Sequence, residues 1–396
     1  MGITFTRTRA RLVTPVFLLV MLSTFAYFVA LGMITPTLPR YVEGPLASGN
    51  LAVGITVGAF AITAVLLRPF VGRVSDRRGR RILIIGGGLV VGASIVGYGV
   101  ADSLWPLLVA RLLTGVGEAA FYVGAATVIN DIAPNDRRGE ALSYFSLALF
   151  GGLAVGPVLG ETILERVDFG AVWWWAGASA AFAGFVGFLV TETRPDGAGD
   201  GATKLIHRGA LLPGTVLGTN IWGLATFSAF IPLYVLQIGM GGSRFVFALN
   251  SAIIISIRLF GARLPDRLGP RLSSRLALTG VGLGFLVMAL WAEPVGLYVG
   301  TVFYSIGHAL LFPALMTMAI NQAPVSERGA VIGTFTSFFD LSFGIGAASA
   351  GAIASQVGYN GAFGIAALVA AGGLVLLGYV GRARSRIAAQ PEAEAA

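Results

Sequence analysis

The sequence predicts an all-α integral membrane protein, with twelve transmembrane helices in two pseudo-symmetric six-helix bundles. Three observations predict it. Hydrophobic residues make up 56% of the 396-residue chain and charged residues only 12%, against about 25% charged in an ordinary soluble domain. So few charges cannot cover a water-facing surface, so lipid is the expected solvent. Twelve apolar segments of spanning length follow one another along the chain. Finally, the chain repeats itself: Arg68-Pro-Phe-Val-Gly-Arg-Val-Ser-Asp76-Arg-Arg-Gly79-Arg-Arg81 returns as Arg258-Leu-Phe-Gly-Ala-Arg-Leu-Pro-Asp266-Arg-Leu-Gly269-Pro-Arg271. The offset that carries Asp76 onto Asp266 also carries Ala133-Pro134 onto Ala323-Pro324 and Gly117 onto Gly307. Solenoid units run about 20–50 residues, far shorter than this offset, so the repeat is a duplicated domain.

The elements follow in order. The apolar run from Leu12, preceded by Arg7, Arg9 and Arg11, is too long for a signal peptide and reads as the first span. Roughly 20 apolar residues cross a bilayer, and the segments are placed near 12–38, 51–72, 82–101, 104–130, 139–163, 169–191, 210–238, 245–264, 274–292, 295–320, 329–354 and 361–381. In hydrocarbon each must be helical to satisfy its backbone. The 56 glycines suit close helix contact in a bilayer. Residues 193–209 are polar and glycine-rich and divide the chain into an amino-terminal bundle (1–192) and a carboxy-terminal bundle (210–382). The tail, 383–396, ends in alanine and glutamate and is expected to be disordered. Trp173, Trp174 and Trp175 read as an interfacial aromatic belt.

The net charge of +8 is distributed unevenly. With the amino terminus inside, the inner loops hold clusters such as Arg73, Arg77, Arg78, Arg80 and Arg81, whereas the outer loops hold Arg40, Arg166 and Arg244. The positive-inside rule then places both termini in the cytoplasm. It also accounts for the basic balance without a nucleic-acid partner. A single lysine, Lys204, among many arginines fits a GC-rich bacterial genome, hence a bacterial inner membrane. A monomer in the lipid bilayer is expected.

The chain has no cysteine and only His207 and His308 as histidines, which argues against disulfides, thiolate metal sites and histidine metal clusters. No Walker-type loop for ATP is present, and no nucleophile–base pair or paired-carboxylate motif for an enzyme. No cofactor is expected. Two repeated bundles in a membrane point to a transporter binding a small molecule where the repeats meet.

Gly72-Arg-Val-Ser-Asp76-Arg-Arg-Gly79-Arg-Arg81 resembles the loop signature of the major facilitator superfamily. Arg111-Leu-Leu-Thr-Gly115-Val-Gly117-Glu118-Ala119 and Gly152-Leu-Ala-Val-Gly156-Pro157-Val-Leu-Gly160 are similar to motifs of its proton-driven drug exporters; Glu161 stands where the second motif ends in glycine. Ala133-Pro134-Asn-Asp-Arg-Arg138-Gly139 is similar to bacterial arabinose-efflux-like permeases. The resemblance implies export of a small amphipathic compound in exchange for protons; the alternative is sugar or metabolite movement by proton symport or facilitated diffusion. It implies that Asp76 sits near the start of helix 11, that Asp266 faces the start of helix 5, and that spans 1, 4, 7 and 10 line the cavity.

Candidate residues follow from charge and spacing. Gly72 is expected to let helix 2 pack closely, and Gly79 and its mate Gly269 to permit tight turns. Arg77 and Arg80 are expected to pair with Asp131, forming a gate with Asp76. Intramembrane ionisable groups are costly and read as functional. Arg111 and Glu118, seven residues apart, share one face of helix 4 about 10 Å apart along its axis. Glu118, with His308 as its repeat mate across the cavity, and Asp340 on helix 11 are candidates for coupling protons to substrate. Arg68 and Arg258 lie one turn inside the membrane surface and read as structural, snorkelling residues. Gly152, Gly156, Pro157 and Gly160 predict a kink and close helix contact in helix 5, and the resemblance implies that this bends it against the other half and seals against leak. Glu161 is expected within reach of water. Phe25, Tyr27, Phe121, Tyr122, Trp222, Phe227, Tyr304 and Phe312 are aromatic candidates for the cavity wall.

Overall fold

The computed structural model describes residues 12–134, 137–193, 207–261, 267–321 and 328–393. Side chains at 69, 76, 139, 328–330 and 380–393 are outside that description. The first bundle contains α1 (Pro15–Glu43), α2 (Asn50–Arg78), α3 (Arg81–Gly97), α4 (Leu104–Ile132), α5 (Arg138–Arg166) and α6 (Phe169–Gly187). The second contains α7 (Arg208–Gln237), α8 (Arg244–Phe260), α9 (Pro270–Leu290) and α10 (Pro294–Ile320). Its last two helices lie within Arg328–Ala393, broken at Gly358 (φ 71°): α11 is 328–357 and α12 is 359–393. Among the described residues there is no strand. Ten helical stretches are long and apolar enough to cross a membrane. Val331–Tyr379 counts once among them although it spans the break at Gly358, and α8 has only 17 residues. Twelve helices result, and α12 runs on through residues expected to be a disordered tail.

Local sequence sets the helix ends. The Thr14 hydroxyl accepts from Phe17 N at 3.2 Å. The Asp168 carboxylate accepts from Ala171 N at 2.7 Å. Each satisfies an otherwise unpaired first-turn donor. Pro270 and Pro294 open α9 and α10, where a missing N–H costs nothing. Gly79 adopts φ 96° and Gly269 φ 77°. Both copies of the repeated loop therefore turn through the left-handed region, which glycine enters freely.

The bundles pack alike. In the first, α1 packs on α5 and α6, α2 on α4, and α3 on α4 and α6; in the second, α7 packs on α11, α8 on α10, and α9 on α10 and α12. The repeated glycine explains itself here. A Cβ on Gly117 would lie 2.8 Å from the Gly87 carbonyl, and one on Gly307 would press still harder on that of Ala277. These are the same crossing in each bundle, α3 on α4 and α9 on α10. Leu66, Phe185, Leu189, Leu290 and Leu368 remain largely exposed on the outside, the apolar surface a bilayer covers.

The bundles meet chiefly through α2 with α11, α5 with α8, and α1 with α7, with a lesser contact of α2 on α7. The closest contacts lie away from the arginine-rich side. Gly54 and Gly58 of α2 press on Ala347, Gly351 and Gly344 of α11. Asn50 donates to the Ala354 carbonyl (3.3 Å), and Tyr359 donates to Glu43 (2.9 Å). Toward the arginine-rich side, among the described residues, a Cβ on Gly72 or Gly333 would meet nothing within 4 Å, and α4 and α10 form no packed seam. The bundles are therefore joined on the arginine-poor side and part toward the other. Gly72 has no close helix neighbour in this arrangement, contrary to expectation.

Candidate functional site

The interior charges come from α2, α4, α8 and α11. Arg68 on α2 and Asp340 on α11 form a bidentate pair across the bundles: Nε lies 2.7 Å from Oδ2, and Nη2 donates to Oδ1 at 2.9 Å. Asp340 is only 3% exposed. The Arg68 guanidinium also sits over the Tyr122 ring of α4, 5.6 Å from its centroid. That separation is within cation–π range. Arg68 is thus the partner of a buried carboxylate rather than a snorkelling residue. Spacing alone did not reveal this, because Asp340 lies outside the repeated motif.

Glu118 lies one turn from Tyr122 on α4. Among the described residues it makes no hydrogen bond or ion pair, and the charges of Asp340, Arg68 and Arg111 act on it. Arg111 points elsewhere. Its Nε donates to the Thr56 carbonyl (2.9 Å), its Nη2 to that of Val57 (2.8 Å) and its Nη1 to the Tyr98 hydroxyl (3.3 Å), with the Phe60 ring 4.8 Å away. It straps α4 to α2 and is not paired with Glu118. His308 is turned toward α7, 3.0 Å from the Asn220 amide and stacked on Tyr304. It is not brought against Glu118.

Arg258, the repeat mate of Arg68, lies on α8 with its guanidinium 4.3 Å from the centroid of Phe150 on α5. Its Nε is buried with no hydrogen-bond partner. The offset that relates the two arginines also maps Phe150 onto Asp340. The two seams are therefore equivalent in position, but one holds an ion pair and the other a cation over a ring.

The loop motif forms a network within the first bundle. Arg80 Nε is 3.2 Å from Asp131 Oδ2, as expected, and the same oxygen accepts from the Thr193 hydroxyl (3.1 Å). Glu192 accepts from the backbone N–H groups of Arg80 (2.8 Å) and Arg81 (3.2 Å). It thereby caps α3 with a negative charge, where the helix dipole favours one. A Cβ on Gly79 would collide with the Glu192 carboxylate. Glu192 was missed in the sequence, where it marks only the end of an apolar run. Arg77 is exposed. The Asp76 backbone is helical and its side chain is outside the description, whereas Asp266 lies outside the described residues altogether.

The α5 glycines face their own bundle, not the other half. A Cβ on Gly156 would lie 2.5 Å from the Gly32 Cα of α1; Gly152 meets Phe25 and Phe28, and Gly160 meets Met33. With Pro157 inside the helix, they fit α5 to α1. Besides Phe150, α5 meets the other bundle through Glu161, which is fully buried rather than in reach of water. It accepts from Ser243 N (2.9 Å), Ser243 Oγ (2.6 Å) and Arg244 N (2.6 Å) at the start of α8. Of the aromatic candidates, Tyr27 stacks on Phe121 and Phe227 on Tyr304. All four are fully buried and fill bundle cores. Trp173 is buried too, while Trp174 and Trp175 face outward.

Two bundles meeting around a handful of interior charges define a membrane transporter, and comparison with known proteins agrees. The Major Facilitator Superfamily profile matches residues 20–296 and 266–396. An uncharacterized MFS-type transporter of Salmonella typhimurium is 30% identical over 361 residues, covering 87% of this chain and 91% of its own. One from Pseudomonas aeruginosa is 30% identical over 377 residues, covering 90% and 91%. Among solved structures, the peptide transporter POT superposes with a TM-score of 0.75 at 16% identity, covering 92% of this chain and 94% of that one. The human organic anion transporter TETRAN gives 0.70 at 19% identity, covering 92% and 100%. The chain belongs to the major facilitator superfamily and is not an enzyme.

Proposed function

We propose that this protein is a proton-coupled secondary transporter that moves a small amphipathic compound by alternating access. In its leading form it exports the compound from the cytoplasm of a bacterium in exchange for protons. Glu118 carries this reading. A carboxyl at membrane depth is neutral or paired, and no partner stands beside Glu118 among the described residues. A proton, or a cationic group of a substrate, is what can neutralise it there. Competition between the two for one carboxylate is antiport. The α4 and α5 motifs support the export direction by resemblance, and the arginine distribution supports cytoplasmic termini.

Arg258 favours a second form. A buried guanidinium nitrogen without a partner attracts an anion, and an anion carried together with a proton on Glu118 is symport. Reconstituted vesicles test the common core. Glu118→Gln is expected to keep substrate counterflow without a gradient but to lose uphill, proton-driven movement. Uphill accumulation by Glu118→Gln would remove Glu118 as the proton site.

A further inference from the structure

The two bundles are copies, and each contributes an arginine to one seam. On α2 the charge of Arg68 is met by Asp340 in a bidentate pair. On α8 the place of that carboxylate is taken by Phe150, and Arg258 has the ring face 4.3 Å away with Nε buried and unpartnered. Among the described residues no carboxylate pairs with it. A ring face compensates a cation only in part, well short of a hydrogen-bonded carboxylate.

The neighbouring charges do not complete the pairing. Asp340 is engaged by Arg68, and Arg111 is spread over α2 carbonyls. Glu118 lies in the field of Asp340, Arg68 and Arg111. An open apolar groove of about 490 Å³ runs along the same seam between α5 and α8, lined by Ala154, Val155, Val158, Leu159, Ala252 and Ile255, with Val155 40% and Leu159 39% exposed. Ala154 is four residues from Phe150, and Ile255 three from Arg258. The groove therefore begins one helical turn from the Arg258–Phe150 contact.

We infer that Arg258 and Phe150 form the head-group site for a substrate that is an amphipathic organic anion, with its carboxylate on the guanidinium and its apolar part along the α5–α8 groove. This rests on the second form of the proposed function, in which an anion and a proton move together, and gives that form a substrate class; it stands against a cationic substrate competing with the proton at Glu118. A planar guanidinium takes a carboxylate through two parallel hydrogen bonds. The anion then completes in the second seam the pairing that Asp340 completes in the first.

The test is equilibrium binding to the full chain in lipid nanodiscs, with three probes sharing one ring system: 1-naphthoate, 1-naphthamide and 1-naphthylmethylamine. The wild type is expected to bind the carboxylate at least about tenfold more tightly than the amide or the amine. Arg258→Gln is expected to abolish that preference, and Arg258→Lys to retain part of it. Phe150→Asp copies the Arg68–Asp340 arrangement into the second seam; it should fold and should also abolish the preference, by supplying the anion internally. If the wild type binds the amide or amine as well as the carboxylate, or binds none of the three, the inference is overturned. Unchanged preference in folded Arg258→Gln or Phe150→Asp overturns it too. The measurement uses no gradient, so it is separate from proton coupling. Uphill transport by Glu118→Gln would sink the coupling reading and leave this one standing.

Discussion

Arg68 and Asp340 fix the two bundles at one depth through paired hydrogen bonds in a site from which water is nearly excluded. Breaking such a pair from one side leaves a charge without compensation and costs about 3–5 kcal/mol, whereas replacing both partners with apolar residues is often neutral. Asp340→Asn is therefore expected to lower the melting temperature of the purified protein, and Arg68→Leu with Asp340→Leu to recover most of the loss while impairing transport. Equal stability of the single and double variants would reduce the pair to a surface-like contact. At this scale the sequence was partly legible. Charge at membrane depth picked out Asp340, Glu118 and Arg111, because burying a charge needs a reason. It did not say whom they meet: Arg111 turned to α2 carbonyls and Asp340 to Arg68, choices made by helix rotation that linear spacing does not encode.

Among the helices, contact distance decides which glycines are structural. Gly117 and Gly307 lie where backbones touch. Gly117→Val or Gly307→Val is expected to overpack the crossing and cost at least about 1–3 kcal/mol, seen as reduced folded yield. Gly72→Ala meets open space here. It is expected to leave the melting temperature nearly unchanged, so any transport defect it causes reports a packing made only in another state. Unchanged folded yield for both valine variants would show that the crossings can give way. The repeat announced Gly117 and Gly307 at sequence level, because the same crossing needs the same small residue twice. The α5 glycines were visible as a small-residue stripe, but a stripe does not say which neighbour it faces, and here it faces α1.

Across the whole molecule, the helix count, the two-bundle plan and the turns at Gly79 and Gly269 were legible from hydropathy and repetition, since these are imposed by the bilayer and by duplication. The opening between the bundles was not, because one sequence serves every state of the cycle. Orientation remains open to direct measurement. Cysteines at Arg78 and Arg267, both exposed, are expected to react only with cytoplasmic reagent, and one at Gly241, on the opposite side, only with external reagent. Labelling of the Arg78 position from outside would invert the molecule in its membrane. Ser243 is unsuitable as a probe, since it is buried against Glu161.

That last contact sets a clock. Opening the arginine-poor side requires the α2–α11 seam to separate glycine-lined surfaces, a loss of dispersion spread over many small steps. The α5–α8 seam instead requires Glu161 to give up three donors at once, and Glu165 to part from Arg244 (2.6 Å), before it can move. Glu161 is therefore expected to contribute to the barrier that limits exchange. Glu161→Gln weakens the acceptor while keeping its shape, and is expected to speed counterflow exchange at the expense of tightness, with more passive leak in the absence of substrate. Slower exchange in that variant would place the slow step elsewhere.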